Sequence, residues 1–190
     1  MTASMDTSRA INAVDLKANI SSTVHHIGHS WIPLRSYGEG YRPFEWQTAP
    51  LIETIWLNEG FIWYVTHYNI LDNPDIIKWF NQVVQSAPDY IQSKSLKELS
   101  FLGSTQYSLD FNIGRNLFAR GALMAHDLDL HIQQETMSEK SFKDALLALL
   151  KWTEKNKRPF EYHEISGIIS EGVGVDITDI WDYWQEPGEK

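Results

Sequence analysis

The chain has 190 residues, of which 43% are hydrophobic and 22% charged. This composition excludes a disordered or fibrous protein. The length indicates one domain over residues 1–190, with residues 1–12 expected to form a disordered tail. The formal net charge of −9 argues against binding to nucleic acid or to an anionic membrane surface. The sequence contains no cysteine, so disulfides, cysteine-ligated zinc and thiol catalysis are excluded, and any metal must be bound by His, Asp or Glu.

The N-terminal segment gives no sign of export. Its first ten residues are polar and lack the apolar core of a signal peptide. No segment of the chain approaches the roughly 18 consecutive apolar residues that span a bilayer. We therefore expect a soluble, cytoplasmic protein, unless the sequence is a fragment that has lost an export signal.

Periodic apolar residues predict three helices in the first half of the chain. The first covers residues 15–31, where apolar side chains recur every three or four positions, Asp15 is a suitable N-cap and Pro33 stops the helix. Residues 32–48 are predicted to form a long loop because they contain two prolines and two glycines, and loops of this length are often functional. Two further helices are predicted over residues 50–71 and 75–86.

The second half of the chain is also predicted to be helical. Residues 95–99 are expected to form a short helical turn, and residues 100–112 an irregular segment with strand character over 106–111. Ser138 and Thr178 are candidate N-caps for the helices that follow them. Four helices are predicted over residues 114–136, 141–156, 162–171 and 178–185. The predicted fold is therefore mainly α, with little or no sheet.

A histidine pair on the first predicted helix is a candidate metal site. His25 and His29 are four residues apart, so both imidazoles project from one face of a helix. This face lies opposite the apolar stripe centred near Ile20 and Ile27. Two neutral imidazoles at this spacing can bind one Zn²⁺. The alternative is a solvent-exposed or hydrogen-bonded histidine pair without a metal.

An acidic residue in the second predicted helix is a candidate third ligand. Glu59 lies mid-helix with Ile55, Trp56, Ile62 and Trp63 one turn away, and a carboxylate on such an apolar face is costly to bury unpaired. Two histidines and one glutamate form a common ligand set for catalytic zinc, with the fourth position open. The alternative is that Glu59 points outward or pairs with a lysine or arginine.

The order of these motifs resembles the glycyl aminopeptidase family of gluzincin zinc metallopeptidases. The resemblance begins with His25-x-x-x-His29-Ser30-Trp31, continues through a loop with Arg42-Pro43, and reaches the block Trp56-Leu57-Asn58-Glu59-Gly60-Phe61. Further similar blocks cover residues 120–124, 128–132, 141–146 and 174–183, so the resemblance covers roughly residues 20–185. It implies a thermolysin-like helical catalytic domain that binds one zinc ion through His25, His29 and Glu59. It also implies the N-terminus of a peptide or protein as the binding partner.

Two positions depart from the catalytic pattern of that family. His26 replaces the glutamate that acts as general base, and an imidazole has a suitable pKa of about 6.5 but a different shape and no negative charge. His26 is therefore either a substitute base or a bystander that forms a hydrogen bond. Phe118 stands where the family has a tyrosine that donates to the oxyanion, and loss of one such donor typically lowers the rate by about 10²–10³. Tyr107 is the candidate substitute donor.

A third departure concerns support for the ligands. Ligand imidazoles usually donate their second N–H to a carboxylate or carbonyl group. Trp63 occupies the position one turn after Glu59 where gluzincins can carry such a carboxylate. Asp127 or Asp129, on another predicted helix, is a candidate for this role, and the alternative for both is a helix surface or a packing contact.

These features lead to one main hypothesis about function. We expect a metallopeptidase-like domain of the aminopeptidase type that retains its zinc ligands and has weak or no peptidase activity. The alternatives are a non-catalytic domain that binds a peptide or protein in the inherited cleft, and a purely structural helical domain without metal. The sequence leaves the substrate, the partner and the oligomeric state open.

Overall fold

The structure is a computed structural model that describes residues 13–42, 47–48, 50–106, 109–188 and 190, with side chains from residue 19 onward. The described residues are mostly helical and include no strand; one isolated parallel bridge joins Gly38 to Phe160. The prediction of a mainly α fold is therefore confirmed. Within the described ranges, every helix is too short or too polar to cross a bilayer.

The helices are numbered here in chain order. The second helix, α2, consists of three consecutive segments, of which the first and third have π-helical hydrogen bonding and the middle one is α-helical. The bounds are α1 Ala13–Gly28, α2 Leu57–Phe61, Ile62–Tyr64 and Val65–Ile70, α3 Ile76–Gln85, α4 Asp89–Gln92, α5 Leu96–Gln106, α6 Phe111–Glu135, α7 Phe142–Asn156, a 3₁₀ turn Tyr162–Glu164, α8 Ile165–Val173 and α9 Thr178–Gln185.

The region around α5 differs from the prediction. The expected short turn at 95–99 is the start of α5, which continues to Gln106, and Phe111 begins α6 rather than ending a strand. The helix continues because Leu96 and Leu99 are fully buried in the core that α5 shares with α6. The one-turn helix α4 was also missed, since four residues are too few to show a helical period.

The predicted caps are replaced by neighbouring residues. Ser141, not Ser138, caps α7, and it does so reciprocally with Asp144, whose carboxylate accepts the Ser141 backbone N–H at 2.9 Å. At α9, Thr178 is the first helical residue, and its N–H and hydroxyl donate to Asp176. In both cases the predicted helix exists, and the residue that satisfies its free N–H groups lies elsewhere.

Two glycines set the packing of α2 on the long central helix α6. A Cβ atom on Gly60 would lie 2.5 Å from the Cα of Gly121, and one on Gly121 would lie 2.2 Å from the carbonyl oxygen of Trp56. Such distances leave no room for a side chain, so the two backbones cross in direct contact. This crossing fixes the part of α2 that carries Glu59.

Helix α1 packs on the opposite side of α2. A Cβ atom on Gly28 would lie 2.6 Å from the side chain of Ile62, so α1 approaches α2 closely at its C-terminal end. About two turns earlier, Ser21 and His67 join the two helices by a hydrogen bond of 3.0 Å. His25 lies between these two contacts and His29 directly follows the one at Gly28, so both imidazoles are held against α2.

Candidate metal centre

The structure brings His25, His29 and Glu59 together. The Nε2 atom of His25 lies 3.1 Å from Glu59 Oε2 and 3.0 Å from His29 Nε2, and His29 Nε2 lies 3.6 Å from Glu59 Oε1. Around a tetrahedral zinc ion with bonds of about 2.0–2.1 Å, neighbouring ligand atoms are about 3.3–3.4 Å apart. The three side chains therefore present a donor set and a spacing that fit one metal ion.

The buried face of α1 is the histidine face. His25 is only 7% exposed, whereas Ile20 and Ile27 are 44% and 60% exposed. The apolar stripe seen in the sequence therefore does not face the core at these two positions, because α2 packs on the side that carries the histidines. An imidazole pair buried in this way needs a polar partner, and Glu59 provides it.

Glu59 is held by a π-helical part of α2. Its neighbours Asn58 and Gly60 are buried, and the Glu59 side chain is 27% exposed. The sequence predicted a regular helix here, and its periodicity gave no signal of π-helical turns. Such turns are rare and occur frequently at functional sites.

The charges of the three side chains are coupled. Burial raises the pKa of Glu59, but hydrogen bonds with His25 and His29 outweigh that effect and lower the pKa to about 2. The hydrogen bond with Glu59 raises the pKa of His29 above its ordinary value. Glu59 is thus an ionised carboxylate whose partners are the two histidines, and the alternative pairing with lysine or arginine is not what the structure shows.

A backbone carbonyl orients one of the imidazoles. The Nδ1 atom of His29 lies 3.0 Å from the carbonyl oxygen of Ile32. With the Nδ1 proton donated to this carbonyl, Nε2 is the nitrogen that faces Glu59 and His25. When protonated, Nε2 donates to Glu59, and when deprotonated, it offers its lone pair to a cation. The predicted second contact of a ligand imidazole is therefore made by the chain that follows α1.

The two aspartates that were predicted to support the ligands have other partners. Asp127 accepts a hydrogen bond of 2.8 Å from Trp184 Nε1. Asp129 accepts from the Tyr64 hydroxyl at 2.7 Å and from the Phe142 backbone N–H at 2.8 Å. That prediction was wrong because these carboxylates join helices of the core to one another.

His26 does not belong to the converging group. Its side chain is exposed, its Nδ1 atom lies 2.6 Å from the carbonyl oxygen of Ser22, and its ring centroid is 6.3 Å from that of His29. Its role as a base stays a prediction. Tyr107, the predicted oxyanion donor, lies outside the described residues, so that assignment also stays a prediction.

The described fold is similar to that of a known protein. It matches the crystal structure of an aminopeptidase N family protein from Idiomarina loihiensis with a TM-score of 0.78 and 19% sequence identity. The present chain has an aminopeptidase-like helical fold. The match covers 96% of this chain and 33% of that protein's chain. No family model matches the sequence, and no curated protein matches it significantly.

A tyrosine that the sequence did not single out lies beside Glu59 in this aminopeptidase-like fold. Asn58 Nδ2 donates a hydrogen bond of 2.6 Å to the Tyr41 hydroxyl oxygen. Burial, and next the negative charge of Glu59, raise the pKa of Tyr41, so the hydroxyl keeps its proton. Its position next to Arg42-Pro43, in the loop expected to be functional, was the signal that could have identified it.

Proposed function

We propose that this chain is a zinc-binding, metallopeptidase-like domain of the aminopeptidase type, with His25, His29 and Glu59 as the ligands. The observation that carries the proposal is the convergence of two imidazole nitrogens and one ionised carboxylate at 3.0–3.6 Å. The aminopeptidase-like fold supports it, and so does the order of motifs that resembles the glycyl aminopeptidases.

The ligand group determines which chemistry a metal would supply. Zinc bound here would act as a Lewis acid on the carbonyl group of a peptide. His29 is oriented for binding by the Ile32 carbonyl, and Glu59 contributes the negative charge that favours a divalent cation. The Tyr41 hydroxyl accepts a hydrogen bond from Asn58 and so retains its own proton for donation to a developing oxyanion.

The expected hydrolysis is weak because the base is poor. In His26 the Nδ1 atom faces the Ser22 carbonyl, which leaves Nε2 as the nitrogen that could accept a proton. The side chain is exposed and lacks the negative charge of the glutamate that it replaces. Phe118, at the position of the tyrosine donor, stacks at 6.5 Å on Trp63 and carries no hydroxyl.

The first test is the metal content of protein purified without a metal-affinity tag. We expect one zinc ion per chain in the wild type, loss of zinc in His29→Ala, and retention in His26→Ala. The second variant is the matched control because it removes the adjacent, exposed imidazole of the same helix. Absence of zinc from the wild type after dialysis against zinc, or equal zinc content in the two variants, would refute the proposal.

The second candidate function is a non-catalytic domain that binds a peptide or protein in the same cleft. The replacement of both catalytic groups, at His26 and Phe118, favours it. The double variant His26→Glu/Phe118→Tyr separates the two candidates. Strong activity of this variant on aminoacyl substrates would identify a degenerate peptidase site, whereas no activity would indicate a cleft rebuilt for binding.

A further inference from the structure

The side of α2 that carries Glu59 continues as a stack of rings beside the metal ligands. Glu59, Trp63 and His67 follow one another at intervals of four residues, so they lie on one side of the helix. Trp63 packs on the imidazole of His25, with the ring centroids 4.9 Å apart and the planes at 42°. It also stacks on His67, with the centroids 4.6 Å apart and the planes at 6°. Trp63 thus joins a ligand imidazole to a ring that α1 holds through Ser21.

One of the two ligand histidines lacks the usual second contact. The Nε2 atom of His25 faces Glu59 and His29, whereas its Nδ1 atom is buried and has no hydrogen-bond partner among the described residues. The Nδ1 atom of His29, in contrast, lies 3.0 Å from the Ile32 carbonyl oxygen. Loss of such a second contact typically lowers metal affinity by about 10–100-fold. His25 therefore needs another source of orientation if it is to bind a metal as well as His29 does.

The indole of Trp63 is the large side chain that packs directly on this imidazole. An aromatic face is electron-rich and attracts the positive edge of a second ring. The indole is itself restrained, because Trp63 is half-buried, its Nε1 atom is fully buried and its ring also stacks on Phe118 at 6.5 Å. A contact at Nε2 fixes one corner of the His25 ring, and the packed indole fixes its plane.

We propose that Trp63 is a positioning residue of the metal centre, which holds His25 in its ligating orientation by ring packing in place of a hydrogen bond to Nδ1. This inference rests on the proposed function, since it treats His25 as a zinc ligand. It requires an aromatic ring at position 63 rather than apolar volume alone. Trp63→Phe retains a ring, and Trp63→Leu retains an apolar side chain of similar size to phenylalanine without one, so the difference between these two variants measures the effect of the ring.

The first test is the zinc affinity of the two variants, measured by titration calorimetry of the metal-free proteins with zinc sulfate. We expect the affinity to fall at least about tenfold in Trp63→Leu and to stay within about threefold in Trp63→Phe, because a phenyl ring still packs on the imidazole. Trp79→Leu, at an exposed position of α3, is the control for a lost tryptophan and should bind zinc as the wild type does. Equal affinities of the wild type and Trp63→Leu would overturn the proposal and leave the zinc site in place.

Cobalt(II) in place of zinc gives a readout that a general loss of stability does not change. The visible absorption bands of Co²⁺ depend on its coordination geometry, whereas Zn²⁺ has a filled d shell and no such bands. At saturating cobalt, we expect the spectrum of Trp63→Phe to match that of the wild type. The bands of Trp63→Leu should be shifted and weaker, because the His25 nitrogen is no longer held in place. Identical spectra of the three proteins would contradict the positioning role.

A measurement on the metal-free protein separates this proposal from the proposed function. We expect NMR spectra of isotope-labelled histidine rings to show one sharp set of His25 signals in the wild type and in Trp63→Phe, and broadened or split signals in Trp63→Leu. This pattern in a protein that binds no zinc would refute the zinc site but support the role of Trp63 in orienting His25. Unchanged His25 signals in Trp63→Leu would overturn the positioning role whether or not the protein binds zinc.

Discussion

Two carboxylates that lie near the crossing of α2 and α6 have opposite surroundings. Asp129 is 5% exposed and accepts hydrogen bonds from the Tyr64 hydroxyl, the Gln133 amide and the Phe142 backbone. Glu59 is partly exposed and faces two imidazoles. The donors of Asp129 are fixed parts of the scaffold, whereas the partners of Glu59 can release their protons and offer lone pairs. A carboxylate enclosed by fixed donors stabilises the fold, and one that faces imidazoles is suited to bind a cation.

Removal of the Glu59 charge should have the largest effect on metal binding. We expect Glu59→Gln to lower zinc affinity by about a hundredfold or more, because one anionic ligand is replaced by a neutral amide. Titration calorimetry of the metal-free protein with zinc sulfate measures this. The free energy of unfolding of the metal-free variant should fall by less than the roughly 3 kcal/mol expected for an enclosed carboxylate, because the amide oxygen of the new side chain still accepts a hydrogen bond from an imidazole N–H. An unchanged zinc affinity would show that Glu59 is not a ligand.

The reverse pattern is expected at Asp129. Asp129→Ala leaves three donors without an acceptor, so we expect the free energy of unfolding to fall by about 3 kcal/mol. Urea denaturation measures this loss, and Glu154→Ala on the exposed face of α7 is the control for a lost carboxylate. Zinc affinity measured below the unfolding transition should stay that of the wild type. A loss of zinc affinity comparable to that of Glu59→Gln would remove the distinction between the two carboxylates.

The helix crossing that positions Glu59 can be tested through its glycines. Gly121→Ala would place a Cβ 2.2 Å from the Trp56 carbonyl oxygen, so we expect a destabilisation of about 2 kcal/mol from overpacking. A shift of α2 relative to α1 should also weaken zinc binding.

Gly167→Ala is the matched control for this substitution. It adds the same methyl group within α8, where no atom lies within 4 Å. The control should stabilise the protein by about 0.5–1 kcal/mol through helix propensity. Equal effects at the two glycines in unfolding experiments would show that the crossing is not tight.

The smallest effect is expected at a surface ion pair. The hydrogen bond from Arg158 lowers the pKa of Glu164 to about 2, below its unfolded value of about 4.3. The pair therefore contributes stability above about pH 4.3, and this contribution is lost as the pH falls toward 2. Because the pair is exposed and screened by solvent, the contribution should be small. We expect the free energy of unfolding, measured between about pH 5 and 2.5, to depend slightly less on pH in Glu164→Gln than in the wild type. A stronger dependence in the variant would contradict this prediction.

The sequence by itself determined most of the helices and the three candidate ligands. Helical periodicity and breakers such as Pro33 located helices near their observed positions. The spacing of His25 and His29 placed both on one face, and the apolar neighbours of Glu59 showed that it needs a polar partner. These conclusions follow from local geometry, which a single helix already contains.

Only the tertiary structure decided which faces meet. Helix α2 packs against the histidine face of α1, so this face is buried, whereas Ile20 and Ile27 are exposed. The contact of Gly60 with Gly121 depends on two residues that are 61 positions apart. Tyr41 reaches the neighbourhood of Glu59 through the path of a loop that carries no periodic signal. Such pairings depend on how distant segments pack together, and a one-dimensional pattern records only which residues are able to pack.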